Sequence, residues 1–172
     1  PCANLPDDFY QVAEIAQADI IVTSHDRQLH DALYLSPENL VVGIGCNRGT
    51  SAEDIETAVD ETCRIHDLYR KSIAACATID LKIDESGLLQ FAQKNRLPLH
   101  FFSKERLNGI EGLEESPHAM AAVGAKGVAE PAAMLATANG KMPGRLLVGK
   151  IKWKDVTTAV AAQNIVFREC SR

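Results

Sequence analysis

No two of the five cysteines (Cys2, Cys46, Cys63, Cys76 and Cys170) stand at a zinc-knuckle or redox-motif spacing. Their odd number also argues against a secreted disulfide framework. Reduced, partly buried thiols in a cytoplasmic protein are expected instead. The five histidines (His25, His30, His66, His100 and His118) show no metal-ligand spacing, so no metal is expected. No apolar run approaches the roughly 20 residues of a membrane span. There is no excess of positive charge: the net charge is −5 and the pI is near 5.5, so a general nucleic-acid binder is disfavoured. Internal repeats and low-complexity tracts are missing. The chain opens on Pro1 rather than methionine, and a processed piece of something longer, with an N-terminal partner domain, is expected.

What is present is ordinary globular composition. Of 172 residues, 46% are hydrophobic and 24% charged, enough for one sizeable domain with its own core. One segment departs from the acidic mean. Lys141, Arg145, Lys150, Lys152 and Lys154 follow one another with no acid between Lys141 and Lys154, which suits a discrete anionic ligand.

Helix and strand signals alternate along the chain. A short helical pattern surrounds Tyr10 to Ala16, a buried strand is expected at Asp19–Thr23, and a brief helix near Arg27 to Leu33. Leu40–Ile44 is β-branched and apolar and reads as a strand. Capping boxes at Thr50/Glu53 and Ser51/Asp54 then open a helix with Ile55, Ala58, Val59, Thr62 and Ile65 or His66 on one face. Ser72–Thr78 is a third strand, Glu85–Asn95 a helix, Pro98–Phe102 a short strand and Ser103–Leu107 the start of a small helix. Leu107–Ser116 is a glycine- and glutamate-rich loop. Pro117 and Pro131 each open a helix, and Asn139–Gly144 is a turn. Leu146–Ile151 and Val156–Ala162 form a hairpin. Such alternation predicts a three-layer α/β/α fold with a mostly parallel or mixed sheet.

The loop Val41–Ser51 (VVGIGCNRGTS) joins a strand to a helix start, where unpaired backbone N–H groups favour an anion. Gly43, Gly45 and Gly49 give room, Arg48 a guanidinium, and Asn47, Thr50 and Ser51 neutral hydrogen-bonding groups. The glycine spacing is one residue too long for a dinucleotide fingerprint, and no Lys-Ser/Thr pair follows. A ligand-free tight connection is the alternative. Cys46 sits where a thiol pKa can be lowered, though no local signature supports a nucleophile. After the third strand, Asp80, Asp84 and Glu85 are acid/base candidates and Lys82 an anion contact. Asp84 and Glu85 fit equally a solvated turn that caps the next helix. Glu130 is either a cap or a carboxylate aimed into a cleft. Alternation in Lys150–Lys154 puts three lysines on one face, with Ile151 and Trp153 on the other; a charged edge strand is the other explanation.

Four segments carry a resemblance in sequence order: VVGIGCNRGTSAEDI, ATIDLKIDESGLLQFAQKNRLPLHFFS, GVAEPAAMLA and LLVGKIKWKDVTTAVA. Together they resemble the C-terminal domain of the cobalamin biosynthesis protein CbiG family, of which the small CobE-like proteins are a relative. The resemblance covers about Leu40 to Ala162. Gly149 stands where the family often has proline, Asn47 is at a variable position, and Leu107–His118 drifts. It implies a CobE-type domain at 39–168 and, at 1–38, the tail of a preceding central region or a linker.

The implied function is the anaerobic cobalamin pathway, as a cobalt-precorrin-5A hydrolase that opens the ring δ-lactone and releases acetaldehyde. A non-catalytic domain that binds or transfers corrinoid intermediates is the alternative, and an interaction or scaffold domain a third class. Asp80 and Glu130 are the implied catalytic carboxylates. Gly43, Gly45, Cys46, Asn47, Arg48, Gly49, Thr50, Ser51, Thr78, Lys82, Lys150 and Lys152 are the implied substrate contacts. The expected partner is the cobalt-precorrin tetrapyrrole. The N-terminal CbiG region, other cobalamin-pathway enzymes and a homodimer are further partners on this reading. No cofactor is implied.

Overall fold

The computed structural model describes residues 9–26, 31–137 and 144–165. Its centre is a five-stranded mixed sheet. The strands are β3 (Leu40–Cys46), β4 (Ile73–Ile79), β5 (Leu99–Phe102), β6 (Arg145–Lys152) and β7 (Val156–Ala162), in the order β5-β4-β3-β7-β6. β3, β4 and β5 run parallel, while β7 pairs antiparallel with both β3 and β6. β3 lies in the middle because its first five residues are all buried, as a strand covered on both faces requires.

Alternate residues of β3 enter different cores. Leu40, Val42 and Ile44 pack with Ile55, Ala58 and Val59 of α1 (Ala52–Ile65) and with Leu88 and Phe91 of α2 (Ser86–Lys94). Val41 packs with Ala132 of α5 (Ala129–Ala136), Phe102 and Leu107 on the other side. Two helical layers thus sandwich the sheet, and the three-layer α/β/α expectation is met. Two short helices, α3 (Lys104–Asn108) and α4 (Pro117–Val123), complete the α5 side.

Local rules explain the element boundaries. Ser51 caps α1, its Oγ accepting the Asp54 N–H at 3.0 Å. Ser116 caps α4, with Pro117 at its first position and Gly124 ending it at φ 68°. Pro131 does not open α5. The helix begins at Ala129, and the proline occupies the first turn, where a missing N–H removes no intrahelical bond. Glu130 is therefore inside the helix rather than its cap.

The N-terminal part departs most from expectation. No helix forms over 10–16, only a 3-10 turn at Ile15–Gln17. Tyr10 and Ile15 are exposed, and so short a helical pattern is not stable without a face to bury. The strand expected to be buried is β1 (Ile20–Val22), half-buried, and it pairs in parallel with β2 (Leu33–Leu35). The expected helix near 27–33 falls partly at 27–30, outside the described residues, and Leu33 already belongs to β2. The expected turn at 139–144 likewise lies outside them, apart from Gly144. This small sheet joins the main body through a His25–Leu68 bridge and the Tyr69 N–H, which donates to the Ser24 carbonyl at 2.7 Å.

Candidate functional site

The carboxyl ends of β3 and β4, the start of α5, one side of α4 and the β6–β7 connection surround a cleft of about 520 Å³. That size is ordinary for a small-molecule site. Its position outside the carboxyl ends of parallel strands is where α/β sheets bind ligands.

The floor depends on small residues. A Cβ on Gly43 would fall 1.8 Å from the Ala129 carbonyl oxygen, so α5 can lie against β3 only over glycine. Gly45 is different. A Cβ there would meet Thr157 and Val128 at 3.7 Å, an ordinary contact, and the residue lines the cleft.

The glycine loop is cross-linked to the loop after β4. Arg48 donates to Asp84 Oδ1 at 2.5 Å and to the Leu81 carbonyl at 3.0 Å. The Arg48 hydrogen bond holds the Asp84 carboxyl below its ordinary range. Glu85 is buried, at 3% exposure. Its Oε1 accepts the Gly49 N–H at 2.8 Å, and its Oε2 pairs with buried Lys82 at 3.3 Å. Gly49 reaches this carboxylate from a left-handed backbone, φ 76°. The anion expected before α1 is thus supplied from within the chain. Asn47, an expected substrate contact, is also engaged within the chain. Asn47 N–H donates to the Asp155 carbonyl at 3.0 Å, and its Nδ2 to Asp155 Oδ1 at 2.9 Å.

Nine of the fourteen expected site residues line the cleft: Gly45, Cys46, Asn47, Arg48, Thr78, Lys82, Glu130, Lys150 and Lys152. Five do not. Gly43 lies beneath α5, Gly49 carries the Glu85 contact, Thr50 is buried with its hydroxyl on the Asn47 carbonyl at 2.9 Å, Ser51 caps α1, and Asp80 is exposed away from the cleft. Thr78 is itself fully buried and donates to the Ile44 carbonyl at 2.6 Å. Of the two carboxylates expected to be catalytic, only Glu130 reaches the cleft. Its Oε1 accepts the Lys150 N–H at 3.0 Å.

The lysine segment is not one uninterrupted strand. The β6–β7 register shifts between Val148 and Ile151, and β6 ends at Lys152. An extra residue re-aims the chain. Ile151 and Trp153 pack against the α1–α2 core, as alternation expects, yet Trp153, beyond the end of β6, also lines the cleft with Lys150, Lys152 and Lys154. Lys150 Nζ donates to the Glu114 carbonyl at 3.4 Å. The lining carries five cations (Arg48, Lys82, Lys150, Lys152 and Lys154) against the carboxylates of Glu130 and Asp155, while Asp84, Glu85 and Glu114, outside the lining, pair with Arg48, Lys82 and Lys150 and leave the exposed Lys152 and Lys154 outside those pairs. A basic cleft thus sits in a chain of net charge −5 and focuses an anionic ligand locally.

Cys46 is no activated nucleophile. Burial pushes its thiol up, and the nearby Lys82 only partly opposes this. Cys63 is pushed up to about 11 and Cys76 to about 12 by burial. At pH 7 all three are expected to alkylate with iodoacetamide at least tenfold more slowly than after unfolding in urea, read by peptide mapping, since the thiolate is the reactive form. Fast modification of Cys46 in the folded protein would contradict the burial argument.

A family model described as "Cobalamin synthesis G C-terminus" matches residues 40–161. The chain belongs to this family.

Among curated relatives of the family, a cobalt-precorrin-5A hydrolase from Priestia megaterium is 40% identical over 124 residues, covering 69% of this chain and 33% of that protein. A probable cobalt-precorrin-5A hydrolase from Methanocaldococcus jannaschii is 30% identical over 154 residues, covering 84% of this chain and 48% of its own length. The chain therefore spans a third to a half of these relatives. Among solved structures, CobE, a protein from the cobalamin (vitamin B12) biosynthetic pathway, superposes with a TM-score of 0.66 at 35% identity, over 72% of this chain and 89% of CobE.

In this CbiG C-terminal domain, several cleft residues had no sequence signal. His118, Ala119 and Ala122 come from α4, which buries none of its residues in the core. Only Val123, at its end, packs partly against the core, and so small a core face is a sign of another role that the pattern alone does not name. Asp155 follows the lysines as an ordinary turn residue, and only the fold brings it to Asn47.

Proposed function

We propose that the chain is the C-terminal part of a cobalt-precorrin-5A hydrolase, and that the cleft holds the tetrapyrrole while the ring δ-lactone opens and acetaldehyde leaves. The observation that carries this is the basic cleft itself, with Glu130 and Trp153 in its lining, in a family of cobalamin synthesis proteins. The substrate is a flat apolar macrocycle fringed with carboxylates. Lys150, Lys152 and Lys154 suit that fringe, and Lys82 or Lys150 suits the carboxylate that lactone opening creates. Arg48 is already engaged by Asp84 but keeps an exposed guanidinium at the rim.

Glu130 takes the proton from the attacking water. Its Oε1 is held by the Lys150 N–H, and Oε2 has no hydrogen bond among the described residues. That leaves one oxygen for the water. Asp80 drops out of this role because it lies outside the cleft lining. On this reading the reaction takes place in the cytoplasm. The region preceding this domain in the longer hydrolases, other cobalamin-pathway enzymes and a second copy are the partners this reading admits.

Incubation of the full chain with cobalt-precorrin-5A, with acetaldehyde followed enzymatically, tests the proposal. Glu130→Gln is expected to slow release about a hundredfold or more, with corrinoid binding, read by visible absorbance, changed less than about threefold. One observation favours a second reading. The Gly49 N–H, at the helix start where a substrate anion is expected, is already bound to Glu85. Under that reading the domain binds the corrinoid and releases nothing, and a spectral shift without acetaldehyde selects it.

A further inference from the structure

We infer that Trp153 is the wall against which the flat face of the tetrapyrrole stacks; this rests on the corrinoid reading above and adds the residue that selects a macrocycle over other polycarboxylates. Trp153 is the only tryptophan of the chain. Among the described residues it is also the only Phe, Tyr or Trp that lines the cleft. It is half-buried and packs against the core on the α1–α2 side of the sheet. Lys152 and Lys154 flank it in sequence and line the same cleft. A flat apolar surface bordered by cations matches a ligand that is apolar across its face and anionic at its edge. Lysines alone would bind any compact polyanion, so discrimination needs the apolar surface.

The indole is held by a buried hydrogen-bond chain rather than by packing alone. Trp153 Nε1–H donates to Thr158 Oγ1 at 3.0 Å. Thr158 Oγ1 lies 2.7 Å from Thr62 Oγ1, and the Thr62 hydroxyl donates to the Ala58 carbonyl at 2.7 Å. Thr62 has one hydroxyl proton and spends it on Ala58, so Thr158 is the donor to Thr62. Every proton in the chain from indole to α1 has one direction. The Trp153 backbone is held too, its N–H donating to the Val156 carbonyl at 2.8 Å. A tryptophan so fixed loses little freedom when a ligand stacks on it. Thr62 and Thr158, at 1% and 0% exposure, are polar residues that an apolar core does not need; satisfying the indole N–H accounts for them.

Titration of the full chain with cobalt-precorrin-5A, read by visible absorbance, provides the test. Trp153→Leu is expected to bind at least tenfold more weakly than the wild type, and Trp153→Phe to recover most of that loss. Equal binding by Trp153→Leu and the wild type overturns the stacking role and leaves the corrinoid reading standing. Trp153→Phe as weak as Trp153→Leu overturns it too, because the hydrogen bond rather than the aromatic face would then matter. No spectral change with the wild type overturns both. Should Trp153→Leu fail to fold by circular dichroism, acrylamide quenching of the wild-type tryptophan decides. Saturating cobalt-precorrin-5A is expected to lower the quenching slope at least twofold, and an unchanged slope sinks the proposal.

Discussion

Replacing Glu85 by alanine is expected to destabilise the domain by about 3–5 kcal/mol, the usual cost of breaking a buried ion pair from one side. The variant would leave Lys82 charged at 7% exposure, with its partner gone. It would also strip the acceptor from the Gly49 N–H. Asp84 does not substitute, because Arg48 holds it at the surface. Urea unfolding followed by circular dichroism measures the loss. The double variant Lys82→Met/Glu85→Leu separates charge from shape. Removing both charges is expected to return most of the stability, since well-packed apolar residues often replace a buried pair without loss. It is not expected to return corrinoid binding, because Lys82 lines the cleft. If the double variant is as unstable as the single one, the uncompensated lysine is not the cause.

Gly43→Ala is expected to cost about 3 kcal/mol, at the upper end of overpacking penalties. Its new methyl would collide with backbone, the Ala129 carbonyl oxygen 1.8 Å away, and no rotamer change relieves that. α5 would have to lift from β3, opening the core around Val41 and Ala132. Gly45→Ala, two residues on, is the matched comparison. Its methyl meets only side-chain carbons at 3.7 Å, so stability is expected to change by less than about 0.5 kcal/mol. The methyl would intrude on the cleft lining instead, and weaker corrinoid binding is expected. Thermal midpoints of the two variants check the contrast; equal midpoints would mean that α5 does not need the close approach.

Much of this architecture is legible in the residues. Leu40–Ile44 reads as a strand because it is apolar and rich in β-branched residues, though its place at the centre of the sheet does not follow from that. Thr50 and Ser51 both read as caps, each three residues before an acid, and the structure selects Ser51. The hairpin of β6 and β7 reads equally well. The N-terminal segment does not, because periodicity over Tyr10–Ala16 says nothing about whether a partner surface exists. The lysine strand is legible only in part. Alternation places Ile151 and Trp153 toward the α1–α2 core, as found, but does not show that Trp153, beyond the end of β6, also lines the cleft.

The Val41–Ser51 loop divides the two kinds of knowledge. By itself the sequence determined a strand, a glycine-rich turn and a capped helix there, together with a local positive balance near residue 150 and the likeness to one family. These follow from short-range rules: backbone freedom at glycine, cap chemistry and hydrophobic period. Only the tertiary structure decided that Glu85 fills the helix start, that Arg48 turns toward Asp84, and that Trp153 and Glu130 share one cleft with the lysines. Those partners lie tens of residues apart in the chain. Which of them meet is set by the stacking of α1, α2 and α5 on the two faces of the sheet, a packing outcome that no local pattern encodes.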